Sequence, residues 1–434
     1  MRYIIIFLWI SAIVSCKPKP SATADIDLNN LQHLCVKQLT DVMVRDIFAP
    51  PVASRIYTYS NLAYYEAVRF SDSTATSITA RLKSFDVMPV PDESKKYDFH
   101  LAAVTAFFKT GTALIFSKDS MQMAEKKLLA SFENSLDENV YNNSIQLGNS
   151  IASVILKRIA SDNYKQTRGM PKYSVFKEEG KWEQTPPDYT DAAEPNWDKI
   201  MPMLLDSVTQ FKPAPPPPYS LNKKSVYYKE LMEVYNTSKT LTASQDTIAR
   251  YWDDNPFVTH HEGHLMYANK KTTPAGHWQG IAGIVCRQQK TNAVTTARAY
   301  ALMSAAMLDA FIACWHEKFA SRTVRPITVI QNNFDAEWSS LLQTPPFPEY
   351  TSGHSTISAA AATVLTNILG SNIAFHDTTE LEYLGLLRSF SSIMQAADEV
   401  SMSRLYGGIH YRSALENGFK QGREIGNLYL TRAN

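Results

Sequence analysis

The sequence predicts an all-α protein, a helical bundle with an N-terminal helical layer. Apolar residues recur at helical spacing along most of the chain, almost nothing alternates with period two, and capping residues or glycines bound the periodic runs. With 434 residues, 44% hydrophobic and 20% charged, the chain is long enough for a large core. Its formal charge of +1 gives no bulk attraction to nucleic acid, so no such partner is expected and strong anion binding must be local.

Residues 1–15 read as a signal peptide: Met1-Arg2, an apolar run from Tyr3 to Val14, then Ser15. The run is short for a spanning helix. Its Ile13-Val14-Ser15-Cys16 ending resembles a bacterial lipobox. That resemblance implies cleavage before Cys16, a diacylglyceryl group on its sulfur, and a lipid-anchored protein of the bacterial cell envelope, at the periplasmic or outer-membrane surface. Residues 16–28 form the tether, rich in Lys, Pro, Ser and Ala. Residues 29–434 are expected to make one large helical domain, N-terminal helices over 29–221 and a catalytic bundle over 222–434. Cys35, Cys286 and Cys314 remain, an odd number that argues against a disulfide framework.

Leu31 to Met43 and Ser54 to Phe70 carry helical periodicity, and further helices are expected at about 97–117, 119–134 and 137–161, the last capped by Asp137. From 163 to 221 the character changes to Gly, Pro, Tyr, Trp and charge, ending in Pro213-Ala-Pro-Pro-Pro-Pro218, an extended strap or a seam between layers. Helices resume at 222–238 and 243–253, the second capped by Thr242 or Ser244. His260, His261 and His264 invite a metal reading, but His261-Glu262-Gly263-His264 spaces its histidines three apart and fails the zinc-protease pattern; a loop is the better reading. Thr291 to Lys318 is apolar on nearly every side, as a central buried helix is. Ser355–Leu369, ended by Gly370, is a small-residue helix, and 379–404 and 412–430 complete the set.

Three clusters in this last third carry chemistry: Lys318-x6-Arg325-Pro326, Ser352-Gly353-His354 and Ser403-Arg404-x5-His410. Singly each is ordinary surface or turn. Together they supply three cations, a hydroxyl, a glycine amide at a helix start and two imidazoles, which is what an oxyanion requires.

In this order and spacing the clusters resemble the signature shared by vanadium-dependent haloperoxidases and type 2 phosphatidic acid phosphatases. Trp252-Asp-Asp-Asn-Pro and Gly276-His277-Trp278 are similar to stretches of bacterial haloperoxidase-like members. The resemblance implies vanadate as cofactor, with phosphate fitting the same place. His410 is then the axial vanadium ligand, and Lys318, Arg325, Arg404, Ser352 and the Gly353 amide hold the remaining oxygens. His354 is the acid–base group, Trp315 and Phe347 line a halide pocket, and hydrogen peroxide with iodide or bromide gives hypohalous acid.

The alternative is a soluble acid phosphatase with His410 as nucleophile. A third reading is a non-catalytic envelope lipoprotein that binds partners through its proline run. Two departures stand out. Thr351 replaces a proline before Ser352, and Ala414 occupies the position where the phosphatases carry an aspartate that orients the last histidine. Glu416, Asp253 and Asp254 are the candidates to replace it.

Overall fold

The computed structural model describes residues 27–433 apart from 176, 263 and 269. The signal peptide, Cys16 and the tether as far as residue 26 therefore lie outside the described residues, as do the side chains of His260, His261 and Glu262.

The N-terminal layer comprises α1 (Leu31–Asp46), α2 (Pro50–Val68), α3 (Phe99–Thr112), α4 (Lys118–Glu133), α5 (Glu138–Ala160) and the single turn α6 (Tyr164–Thr167). Pro50 starts α2 at its first position, where a missing N–H costs nothing, four residues before the expected start. Asp98 caps α3 by accepting the Leu101 amide; Asp137 precedes α5 without a side-chain cap bond.

The second half holds α7 (Val226–Lys239), α8 (Ala243–Tyr251), α9 (Pro274–Gln289), α10 (Ala293–Ser321), α11 (Pro326–Asn333), α12 (Gly353–Leu369), α13 (Leu381–Leu384), α14 (Ile393–Tyr406) and α15 (Arg412–Arg432). Thr242 caps α8 in a full capping box with Gln245.

Among the described residues two short antiparallel hairpins interrupt the helices. β1 (Thr259–Glu262) pairs with β2 (Leu265–Ala268), where the sequence suggests a histidine loop. β3 (Phe375–Asp377) pairs with β4 (Arg388–Phe390), which breaks the helix expected over 379–404. Gly385, at φ 68, ends the one-turn α13, and Ser392 starts α14 afresh by accepting the Gln395 amide.

At the centre stands α10, packed against α2 and α12, while α12 packs against α14 and α15. One hydrophobic core includes residues of both halves. Among the described residues α10 is long and apolar enough to cross a membrane, and 94% of its apolar window is buried within the protein. Cys35, Cys286 and Cys314 are buried free thiols.

The segment 163–221 is a strap across the bundle. Asp309, buried in the middle of α10, accepts the amides of Met203, Leu204 and Leu205 and the Tyr429 hydroxyl. Further along, the Phe211 carbonyl accepts from Gln421, and the Ala214 carbonyl accepts the Tyr350 hydroxyl.

Helices α12 and α15 approach closely because glycines recur on α15. A Cβ at Gly422 would lie 2.0 Å from the Thr356 carbonyl oxygen, and one at Gly418 would lie 2.9 Å from that of Ser352. The first turn of α12 is thus set against α15, and the Ser352 amide donates to the Ala414 carbonyl at 3.0 Å. Gly422→Ala is expected to cost about 1–3 kcal/mol or more by forcing the two backbones apart. An unchanged denaturation midpoint would contradict the close packing.

Candidate active site

Helix ends deliver the three clusters to one place. Lys318 sits in the last turn of α10, where the helix dipole favours a cation. Arg322, in the left-handed conformation, ends that helix; the chain then runs extended beside the strap, the Val324 amide bonding to Gly180 O and the Trp182 amide to Arg322 O. Arg325 follows as the residue before Pro326, the first residue of α11. Ser352 caps α12, its Oγ accepting the Ser355 amide and hydroxyl, so its own proton remains available for another acceptor. Gly353 and His354 open α12, where amides have no intrahelical acceptor. Arg404 lies in the last turn of α14, and a turn through Gly407 and Gly408, the latter at φ 77, returns the chain to His410.

The hydrogen bonds of the cations are divided unequally. Arg325 donates from Nε to Phe347 O at 3.0 Å and from Nη1 to Ile409 O at 2.7 Å, with His410 Nε2 3.2 Å from Nη1. Arg404 donates from Nη1 to Trp252 O at 2.7 Å. Among the described residues Arg325 Nη2, Arg404 Nε and Nη2, and His354 Nε2 are buried without a partner. Lys318 differs from its expected role as an oxygen holder, because its ammonium donates to the carbonyls of Pro348, Glu349 and Thr351. In this arrangement Lys318 contributes its charge, and the two guanidiniums supply the spare donors.

Burial sets the electrostatics. It pushes Lys318 down to about 8 and Arg325 down to about 10, Arg325 adding to the first effect and Arg404 to the second. Burial likewise lowers Arg404. His354 and His410 are held well below the usual imidazole range, first by burial and then by the surrounding cations. Gathering three cations out of water costs free energy, and an anion placed among them recovers much of it.

The carboxylate that orients His410 is Glu349, which the sequence reading missed. Its Oε1 lies 2.8 Å from His410 Nδ1 and also accepts the Tyr411 amide at 2.9 Å. A proton on Nδ1 completes that bond and leaves the Nε2 lone pair facing Arg325. Burial raises the Glu349 carboxyl to about 7 against the opposing pull of Arg325. Glu416, Asp253 and Asp254 do not take this role: no hydrogen bond joins any of them to His410 among the described residues. The one available signal was the position of Glu349, three residues before the capping Ser352 on the segment that must turn into α12.

Trp315 and Phe347, with ring centroids 4.9 Å apart, stand beside Lys318, whose ammonium lies 5.8 and 5.1 Å from their centroids. With Phe311, Ile357, Pro50, Pro274 and Pro345 they wall a cavity of about 20 Å³ that also touches Gly353, His354, Arg404 and His410. The spare donors of Arg404, the Gly353 amide at the helix start and the two imidazoles line this space, with the spare donor of Arg325 and the Ser352 hydroxyl on neighbouring residues, a set that suits a compact oxyanion such as vanadate or phosphate.

Residues 298–434 match the family model described as the VCPO second helical-bundle domain. The chain is similar to the crystal structure of the first bacterial vanadium-dependent iodoperoxidase, with 44% identity, 93% of this chain and 96% of that one covered, and a TM-score of 0.88. It also resembles holo-type and apo-type crystal structures of a bacterial vanadium-dependent chloroperoxidase. The holo-type match has 16% identity, covers 89% of this chain and 93% of that one, and has a TM-score of 0.69. The apo-type match has 15% identity, covers 90% and 95%, and has a TM-score of 0.70. At that identity the likeness concerns the fold. No curated protein sequence matches significantly.

If Glu349 positions His410, Glu349→Ala will weaken orthovanadate binding by about 10–100-fold, as removal of a partner behind a liganding histidine does. Glu349→Gln, which keeps an acceptor for both Nδ1–H and the Tyr411 amide, will lose much less. Equal losses in an equilibrium titration would place the effect in the charge instead.

Proposed function

The chain belongs to the vanadium-dependent haloperoxidases, and from that premise we propose that it oxidises iodide in preference to bromide, with hydrogen peroxide as oxidant and hypohalous acid as product. The observation that carries the site assignment is the set of buried groups without partners, Arg325 Nη2, Arg404 Nε and Nη2 and His354 Nε2, of which Arg404 and His354 line one small cavity with His410, whose Nε2 faces Arg325. Iodide rests on two supports: it is the halide that gives up electrons most easily, and the neighbour at 44% identity bears the description iodoperoxidase.

Arg325, Arg404, the Ser352 hydroxyl and the Gly353 amide would hold the oxygens of vanadate, and His410 Nε2 would ligate its vanadium. When bound, vanadate supplies a Lewis-acidic centre that makes peroxide oxygen electrophilic toward halide. The protein's own part is electrostatic and positional. Lys318, tied to the carbonyls of Pro348, Glu349 and Thr351, holds a positive charge where negative charge accumulates. Glu349 keeps the His410 proton on Nδ1. His354 Nε2 takes the proton that peroxide gives up. The cations depress its basicity, and a bound anion offsets that field, so the base strengthens when the site is filled. The aromatic walls of Trp315 and Phe347 exclude water from the halide's approach.

One objection to the phosphatase alternative falls away. The absence of an aspartate at position 414 weighed against it, but Glu349 supplies an orienting carboxylate. What favours the peroxidase over it is the neighbour at 44% identity, which bears the description iodoperoxidase.

For the cellular setting, we propose a mature chain held at the envelope by lipid on Cys16, supported by the Ile13-Val14-Ser15-Cys16 sequence. Mass spectrometry of the mature N-terminus tests it, and an unmodified residue there would overturn it.

Steady-state assays with orthovanadate are expected to favour iodide over bromide by about tenfold or more in kcat/KM, a difference of about 1.4 kcal/mol. Equal or higher values for bromide would overturn the halide assignment. His410→Ala is expected to abolish vanadate binding, and His354→Ala to retain it while losing about 10²-fold or more in rate. Vanadate-independent hydrolysis of an aryl phosphate without halogenation would overturn the peroxidase reading.

A further inference from the structure

Behind Arg404 lies a second buried cluster that the halide chemistry does not use. It is built from Trp252-Asp253-Asp254 and Gly276-His277, two stretches conspicuous in the sequence, together with Asp377 and Glu380. His277, in the first turn of α9, is fully buried. Its Nδ1 lies 3.0 and 3.1 Å from the two oxygens of Asp254 and 3.7 Å from Glu380 Oε1, and its Nε2 lies 2.9 Å from Asp377 Oδ2. Single ligand atoms of Asp254, His277 and Glu380 all fall within 4.8 Å of one another. Nearby, Lys271 is already paired with Asp253 at 2.6 Å.

The cluster can be balanced by protons or by a cation. One imidazole N–H is used on Nε2 toward Asp377. The Nδ1 side then presents a lone pair to two carboxyl groups, which must be separated either by a cation or by protons, on the ring or on Glu380, whose carboxyl burial raises to about 8. A second ring proton satisfies Asp254 but leaves Glu380 unserved, because 3.7 Å is beyond hydrogen-bonding distance. Glu380 Oε1 is in fact buried without a partner among the described residues, on a side chain 1% exposed. A divalent cation serves Asp254, Nδ1 and Glu380 together. Asp377 then stands where the outer carboxylate of a metal-bound histidine stands, accepting the other ring N–H.

We propose that Asp254, His277 and Glu380 form a binding site for a divalent cation, distinct from the vanadate site and sharing no residue with it. Two carboxylates and one imidazole select a borderline cation, Zn²⁺ foremost and Mn²⁺ next. The site joins three segments far apart in sequence: the loop after α8, the start of α9 and the turn before α13. It also lies behind the catalytic centre. The Trp252 ring stacks on His277 with centroids 4.4 Å apart, and the Trp252 carbonyl is the anchor of Arg404. A filled site therefore braces a guanidinium proposed to hold vanadate.

The test uses the full mature chain, purified without chelator, with metal content read by mass spectrometry. A chelated sample is then titrated with ZnCl₂ or MnCl₂ in a calorimeter and followed by thermal melting. One equivalent of cation per chain is expected, with a higher melting temperature on binding. His410→Ala should lose vanadate and keep the cation, whereas His277→Gln and Glu380→Gln should lose the cation. Glu380→Gln guards against a folding failure, because it removes one charge and nearly no volume; it should keep the native circular dichroism spectrum. The proposal is overturned if wild type binds neither cation stoichiometrically, or if both variants keep it. It is equally overturned if nitrogen-edited NMR of the cation-treated protein shows His277 carrying two ring protons.

Discussion

Three cations held together out of water are the constraint on which the rest of this structure depends. Lys318, Arg325 and Arg404 are each fully buried, and burial penalises every one of them. Around them the backbone is arranged to offset the cost. The carbonyls of Trp252, Phe347, Pro348, Glu349, Thr351 and Ile409 all accept from these side chains. Glu349 adds a carboxyl whose own ionisation is resisted by burial. The donors that remain unmatched on Arg325 and Arg404 are the binding capacity of the site. A centre so built is costly without an anion, and that cost is part of why it would hold a resident one tightly.

The helical architecture answers the geometric side of the same problem. Helix termini are where backbone groups lack partners and where dipoles end, so an anion site gains from being built of them. Here α10 and α14 end with Lys318 and Arg404, while α12 begins with Ser352, Gly353 and His354. Fixing three ends at one point requires rigid contacts elsewhere. The glycine face of α15 fixes the first turn of α12, and Asp309 in α10 ties down the strap that passes the Lys318 end of the same helix. Loosening any of these would move a donor relative to the cavity, whose small volume tolerates little displacement.

Much of the fold was legible because helices announce themselves locally. Thr242 before α8, Ser352 before α12, Pro326 after Arg325 and the uninterrupted apolar run of α10 are signals carried within a few residues of where they act, although Pro50, which starts α2, was passed over. The misreadings also have local causes. The β3–β4 hairpin is too short for alternation to show, with three residues in each strand, and it merged into the periodicity of α14. Asp137 has the right residue type for a cap, but its side chain makes no cap bond.

For the site, the sequence by itself determined the reactive groups and their order: Lys318, Arg325, Ser352, Gly353, His354, Arg404 and His410, with Trp315 three residues before Lys318 and Phe347 seven before His354. Spacing around helix ends is a short-range property, so it survives in one dimension. Only the tertiary structure decided which groups are satisfied and which are spare. It turned the ammonium of Lys318 onto three carbonyls and left the guanidinium of Arg404 with free donors. It gave His410 its orienting carboxylate from Glu349, 61 residues away, and enclosed His277 among carboxylates from positions 254, 377 and 380. Pairings of that kind depend on where whole helices come to rest, and helix packing is settled by contacts summed over the entire core.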